Sequence, residues 1–330
     1  MINEKVFIVS LVITFALTVI ITKKLIPVLL SKKVGQKILD IGPRWHKNKE
    51  GTPTMGGIGF VIATSVAFVA ITAIFGRTVE KQQLLTIINI FLFAILNCMI
   101  GIIDDMAKLK KRRNEGLTPM GKLILQSVAA IVFLILMSVT ANLSTVIKIP
   151  FTRVELELGF FYYVFAFLML CGVTNAVNLT DGVDGLASTC ALSVGIFLTF
   201  VGLLVEENAA ISFFAATLIG ASLGFLIFNY HPAKVFMGDT GSLFIGALIV
   251  GVAFALNTPL LVFLYGFVFI FEALSVILQV VYFKITHGKR LFKMAPFHHH
   301  LEKSGLSEAK IVSIFGLINS IFCIIAFLGI

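Results

Sequence analysis

Ten stretches of this chain are long and apolar enough to cross a bilayer, and that repetition decides what it can fold into. Their approximate limits are 6–22, 56–75, 84–103, 123–140, 158–177, 186–205, 209–229, 243–256, 260–283 and 311–330. A hydrocarbon core takes about 20 apolar residues of helix per crossing. The expectation is an all-α integral membrane protein of about ten transmembrane helices, forming one polytopic domain over residues 1–330. The eighth segment is short and the ninth long, so a tilt or break is expected near Pro259. Lys5 precedes the first segment and Lys23–Lys24 follow it, with no small-residue cleavage site, so it reads as a retained helix and not a signal peptide.

Composition closes off the other classes. The chain is 58% hydrophobic and only 13% charged, with a mean hydropathy of +1.02, whereas a soluble domain carries about 25% charged residues. A water-soluble globule and a disordered chain are both excluded. The net charge of +9 reads as basic loops on the cytoplasmic side of a membrane and not as a nucleic-acid surface. Cys98, Cys171, Cys190 and Cys323 all fall in apolar segments and form no CxxC pair, so neither zinc nor a disulfide framework is indicated.

Loop charge fixes the expected orientation. With the N-terminus outside, the loops after segments 1, 3, 5, 7 and 9 hold 21 of the 26 Lys and Arg residues. The positive-inside rule then places both termini outside and five loops in the cytoplasm. All six Asp and all six His lie in those same five loops. Polar residues collect in loops anyway, but the outer loops hold no Asp and no His, which points to chemistry at the inner face.

Four clusters carry that chemistry. Asp104 and Asp105 sit together at the end of an apolar helix, where desolvation and mutual repulsion raise a carboxyl pKa unless a cation is near. Magnesium or Lys108 could supply that charge; a solvated helix end is the plain alternative. Residues 175–186, Asn-Ala-Val-Asn-Leu-Thr-Asp-Gly-Val-Asp-Gly-Leu, contain two carboxylates and no Lys or Arg. A glycine follows each Asp and allows tight turns and close approach of a ligand. The run is too short for an EF-hand and lacks its distal Glu. Residues 229–242 place Asp239 among small residues just before a helix, whose N-terminus favours an anionic group. Magnesium takes one or two carboxylates plus phosphates and water, so Asp239 is a candidate ligand. Phe236 beside it could stack on a base or simply pack. Residues 294–302 hold His298, His299 and His300 after Pro296. Adjacent His side chains point apart, which favours one or two binding phosphate over a zinc site. The basic stretches 44–57 and 108–113 suit anionic lipid headgroups or a diphosphate substrate.

Together, Asp104-Asp105, NLTDGVDGLA at 178–187, FMGDTGSL at 236–243, MAPFHHHLE at 294–302 and PTMGG at 53–57 resemble the polyprenyl-phosphate N-acetylhexosamine-1-phosphate transferases. The MAPFHHHLE form is closer to the branch that handles phospho-N-acetylmuramoyl-pentapeptide than to the N-acetylglucosamine branch, which is the alternative. The similarity runs from about residue 23 to the C-terminus, in the same order and with the same ten-span layout. It implies transfer of phospho-MurNAc-pentapeptide from UDP-MurNAc-pentapeptide to undecaprenyl phosphate, giving lipid I and UMP for peptidoglycan synthesis, with magnesium required. It implies a bacterial cytoplasmic membrane enzyme with its site facing the cytosol, surrounded by membrane lipids and forming a homodimer. It implies Asp239 as the magnesium ligand, Asp104 and Asp105 as the catalytic pair, and Asn178, Asp181, Gly182, Asp184, Phe236 and Lys108 around the uridine and diphosphate. Lys49, Thr54, Lys122, His298, His299 and His300 are further active-site positions on the same ground, His298 among the catalytic ones.

A transporter or flippase is the competing class. Such proteins carry ionisable groups near the bilayer midplane, on broken helices within internal repeats. Here Glu272 is the one acidic residue deep in a span, no span interior holds Lys or Arg, and no repeat is evident. Glu272 and Gln279 fall seven residues apart, on one face of their helix.

Overall fold

The computed structural model describes residues 2–32, 49, 51–111 and 116–330. The stretches 33–48 and 112–115, with Asp40, Arg44, His46, Lys47, Arg112 and Arg113, lie outside the described residues, as do Glu50 and the side chain of Lys111. Among the described residues the chain forms α1 (Ile2–Ser31), α2 (Ile58–Phe75), α3 (Lys81–Lys111), α4 (Pro119–Thr140), a short hairpin of β1 (Val146–Lys148) and β2 (Glu155–Glu157), α5 (Phe160–Thr180), α6 (Leu186–Phe200), α7 (Ala209–Asn229), α8 (Gly238–Ala255), α9 (Val262–Tyr265), α10 (Phe267–Ile285), α11 (Phe297–Glu302) and α12 (Glu308–Leu328). Ten of these helices are long and apolar enough to span a membrane, in the expected order. The outer helices leave large apolar side chains such as Val69, Ile74, Val139 and Leu317 exposed. An aqueous surface would not tolerate patches of that kind, and lipid would.

Two departures from the sequence pattern matter for the site. The third apolar segment fades at 103, yet α3 continues to Lys111 and carries Asp104, Asp105 and Lys108 as helical residues. The eighth apolar run starts at 243, but α8 begins at Gly238, so Asp239 is in its first turn and not before it. The ninth segment is broken as expected: a 3-10 turn at Pro259–Leu261 leads to α9, and a second break at Gly266 precedes α10. Asn319 of α12 makes that second break tolerable. Its side chain accepts from the Val268 amide at 3.2 Å and donates to the Tyr265 carbonyl at 3.1 Å, satisfying groups the helix has released. The β1–β2 hairpin, with Val146 opposite Glu157, was not legible in the apolar pattern.

Helix α8 is the centre of the bundle, with 89% of its span buried, and α7 follows at 72%. Helix α1 packs along α7 through small residues. The buried hydroxyl residues Thr14 and Thr18 of α1 face Gly220 and Gly224, and Thr22 faces Gly59 of α2. A Cβ on Gly220 would meet the Phe15 amide nitrogen at 2.9 Å. Close backbone approach through small residues is how helices associate where no hydrophobic driving force separates protein from lipid. The consequence is testable: Gly220→Val should destabilise the protein by about 1–3 kcal/mol through overpacking, read as a lower melting temperature in detergent, while ligand affinity of the remaining folded protein stays unchanged.

Candidate active site

Helical spacing brings the first charges together. Lys108 lies one turn beyond Asp104 and Asp105 on α3, and residues three and four apart share a helix face. Its Nζ is 2.7 Å from Asp104 Oδ2 and 3.0 Å from Asp239 Oδ1. Lys122, in the first turns of α4, reaches Asp239 Oδ2 at 2.7 Å and donates to Asn178 Oδ1 at 2.9 Å. Asn178, near the end of α5, in turn donates to Ser242 Oγ of α8 at 2.8 Å. Asp239 therefore stands between two lysines from two different helices, and Asn178 fixes the second of them.

Asp105 does something different. It is buried, and its two oxygens accept the Asp239 amide at 3.2 Å, the Thr240 amide at 2.9 Å and the Thr240 hydroxyl at 2.7 Å. A helix opens with donors that have no intrahelical partner, and a carboxylate there is stabilising. Asp105 caps α8 from across the bundle, which explains why α8 starts five residues before its apolar run. Gly101, one turn earlier on α3, faces the Asp239 carbonyl directly, leaving no room for a side chain. Asp104 is held on its other oxygen by the Leu117 amide at 2.8 Å.

The loop between α5 and α6 supplies the next layer. Asp184 is buried and accepts from Lys49 Nζ at 2.7 Å, from the Ala233 amide at 3.0 Å and lies 3.1 Å from His231 Nδ1. Lys49 also binds Glu308 Oε2 at 2.6 Å, and Glu308 accepts the Asp184 amide at 3.2 Å. Glu308 and His231 were not singled out from sequence. An acidic residue in a first helical turn, as Glu308 is, is too ordinary to draw notice. The residues 53–57 lie along 236–237: Phe236 donates to the Pro53 carbonyl at 2.8 Å, and Gly56 and Gly57 donate to the carbonyls of Phe236 and Met237 at 2.8 and 3.0 Å. Gly57 approaches Gly241 so closely that neither could carry a Cβ. Between these pieces is a cavity of about 180 Å³ lined by Lys49, Thr54, Asn178, Asp181, Phe236 and Asp239, among others. Phe236 thus faces the cavity and not lipid.

The histidine motif forms α11. His298 is fully buried, packed behind Gly182, and does not line the cavity. His299 Nδ1 bonds Glu302 at 2.6 Å, and His300 Nδ1 accepts the Lys293 amide at 3.1 Å. Contrary to the expected divergence, the rings of His298 and His299 meet edge-on with centroids 4.2 Å apart, while His299 and His300 make bonds within their own segment. Gln279 accepts the amides of Leu291 and Phe292 at 3.1 and 2.9 Å, holding the segment that leads into the motif. The site residues expected from sequence thus gather at one pole of the bundle, with His298 below the others.

The donor set fits a hard divalent cation. Oxygens of Asp104, Asp105 and Asp239 come within 4.8 Å of one another, and magnesium prefers such carboxylate oxygens together with phosphate. Asp105 has both oxygens engaged by α8, which leaves Asp239 and Asp104 as the residues able to turn toward a cation.

Residues 87–257 match the model of glycosyl transferase family 4, a span that includes every site residue from Asp104 to Asp239 and excludes Lys49, Thr54, His298, His299 and His300. The chain is similar to proteins named phospho-N-acetylmuramoyl-pentapeptide-transferase. One from Halalkalibacterium halodurans is 42% identical over 98% of this chain and 97% of its own length. Another, from Listeria innocua, is 42% identical over 96% of this chain and 97% of its own. A third, from Clostridium kluyveri, is 43% identical over 97% and 98%.

Asp181 gives the site a measurable electrostatic signature. Among the described residues no donor reaches its carboxylate. Burial pushes its pKa well above the ordinary carboxyl value, and the charges of Asp239, Asp105 and Asp184 push the same way. A carboxyl raised in the folded state favours folding while protonated, and that advantage is lost as pH rises through the folded pKa. Asp181→Asn should therefore raise the melting temperature of the ligand-free protein, with the gain growing from pH 4 to pH 8. A gain that is the same at both pH values would contradict the assignment.

Proposed function

The chain belongs to the phospho-N-acetylmuramoyl-pentapeptide transferase family, and from that premise we infer that it transfers phospho-MurNAc-pentapeptide from UDP-MurNAc-pentapeptide to undecaprenyl phosphate. The products are lipid I and UMP. The observation that carries the site assignment is Asp239 held between Lys108 and Lys122 at the edge of a cavity lined by Phe236. A lipid phosphate attacking a diphosphate brings several negative charges together, and electrostatic stabilisation is the main means of lowering that barrier. Two lysines already converging on one carboxylate are placed to exchange it for phosphate oxygens.

In this reading Asp239, with Asp104 beside it, would hold magnesium, which when bound would neutralise diphosphate charge. Lys108, Lys122 and Asn178 orient the diphosphate. The uridine ring lies on Phe236, and the Lys49–Asp184 pair with Asp181, Gly182 and Thr54 encloses the nucleoside. Asp104 accepts the residual proton of the lipid phosphate; its second pKa is near 6, so only modest basicity is required. The freed phosphate oxygen bonds to the phosphorus that carries the sugar, and the bond from that phosphorus to the bridging oxygen breaks, releasing UMP. Asp105 contributes by seating α8, and so Asp239, in register.

The loop charges support a cytosolic location for this pole, with both termini on the outer side. There the nucleotide arrives from water and the lipid phosphate lies at the membrane surface. The protein works as a homodimer among membrane lipids of a bacterial inner membrane.

Two outcomes test the reading. Asp239→Asn should abolish UMP release by purified protein supplied with magnesium and both substrates, without loss of the folded state, and wild-type turnover in that variant would refute the assignment. Phe236→Ala should weaken UMP binding by about 1–3 kcal/mol, roughly tenfold to a hundredfold. Calorimetry beside a melting curve separates stacking from packing: a lower melting temperature with unchanged affinity would leave Phe236 a packing residue only.

A further inference from the structure

Glu272 is a carboxylic acid fully buried in a membrane-spanning helix, and the mechanism above does not use it. A charge in that position is costly unless it is paired or hydrogen bonded. Among the described residues its side-chain partners come from one residue. Both oxygens accept the His298 amide, at 3.1 and 3.4 Å, and Oε2 lies 3.2 Å from His298 Nδ1, within ion-pair reach but without hydrogen-bond geometry. Nε2, on the opposite side of the ring, is likewise buried without a hydrogen-bond partner among the described residues and abuts Gly182. A Cβ at position 182 would collide with it. Gly182 opens the turn that carries Asp181 on one side and Asp184 on the other.

A continuous line of contact therefore runs from a helix interior to the nucleotide loop: Glu272, His298, Gly182. We propose that Glu272 is a positioning residue for the nucleotide site, acting through His298 to set where the Gly182 turn stands. This rests on the reading of that cavity as the nucleotide site. The carboxylate fixes the start of α11 through the His298 amide, and its charge 3.2 Å from Nδ1 favours the ring form with hydrogen on that nitrogen. The ring then forms the floor against which the glycine turn closes. Partners that orient a site residue from behind typically matter about tenfold to a hundredfold in affinity or activity.

The test uses full-length protein in detergent with magnesium, UMP affinity by calorimetry and melting temperature measured in parallel. Glu272→Gln keeps the volume but offers an amide group toward Nδ1, reversing the hydrogen pattern. It should weaken UMP about tenfold. His298→Gln should weaken it comparably, and the double variant no further than His298→Gln alone, since residues acting in one chain are non-additive. Gly182→Ala keeps both residues of the buried pair and approaches the same link from the loop, its Cβ pressing on the His298 ring; it should show the same loss, and it decides the matter if Glu272→Gln does not fold. Wild-type UMP affinity in Glu272→Gln, with or without a lower melting temperature, overturns the proposal, as do losses that add in the double variant or an unchanged Gly182→Ala. Those outcomes leave the proposed reaction standing when the wild type binds UMP; absence of UMP binding by the wild type would overturn both.

Discussion

Three carboxylates and two lysines, drawn from three helices, offset much of one another's charge at the end of an otherwise apolar bundle. That balance is the constraint the rest of the structure serves. Asp104, Asp105 and Asp239 repel at this distance, and in a protein interior that repulsion is screened less than in water. Lys108 reaches Asp104 and Asp239 because helical spacing puts it there. Lys122 reaches Asp239 only because α4 packs where it does and Asn178 holds the ammonium. A phosphate ligand can enter such an arrangement by displacing one anion from its lysines, without first creating an unpaired charge.

The glycines belong to the same logic. Gly57 against Gly241, and Gly101 against the Asp239 carbonyl, bring backbones together so that three separate segments meet at one point. Gly238, at φ +72, turns the chain into α8 with Asp105 waiting to receive the first amides. The acidic pair of α3 thus divides its labour. One carboxylate pairs with Lys108 beside Asp239, and the other caps the helix that carries Asp239. Glu272, the acid that gave a transporter reading its one foothold, is instead occupied by His298.

Much of this was legible from residue order. Ten apolar runs could only be ten helices in a membrane, because lipid offers the backbone no alternative partner. The collection of every Asp and His into five alternate loops pointed to one face for the chemistry, and the five motif words identified its class. Those are properties of composition and local period, which survive without knowledge of how helices pack.

What sequence could not supply were distances between segments far apart in the chain. The capping of α8 by Asp105 spans 135 residues, and no local pattern in either segment announces it. Glu308 and His231 entered the Asp184 network for the same reason: their meaning comes from the neighbours they acquire on folding. His298 looked equivalent to His299 and His300 in a run of three, yet the turn of α11 buries it and leaves the others only half-buried. The sequence by itself determined the solvent, the number of crossings and the chemical inventory, since each depends on residue type along the chain. The tertiary structure alone decided which carboxylate stays beside the lysines and which caps α8, since that depends on which donors the packing of α3, α4, α5 and α8 brings within hydrogen-bonding range.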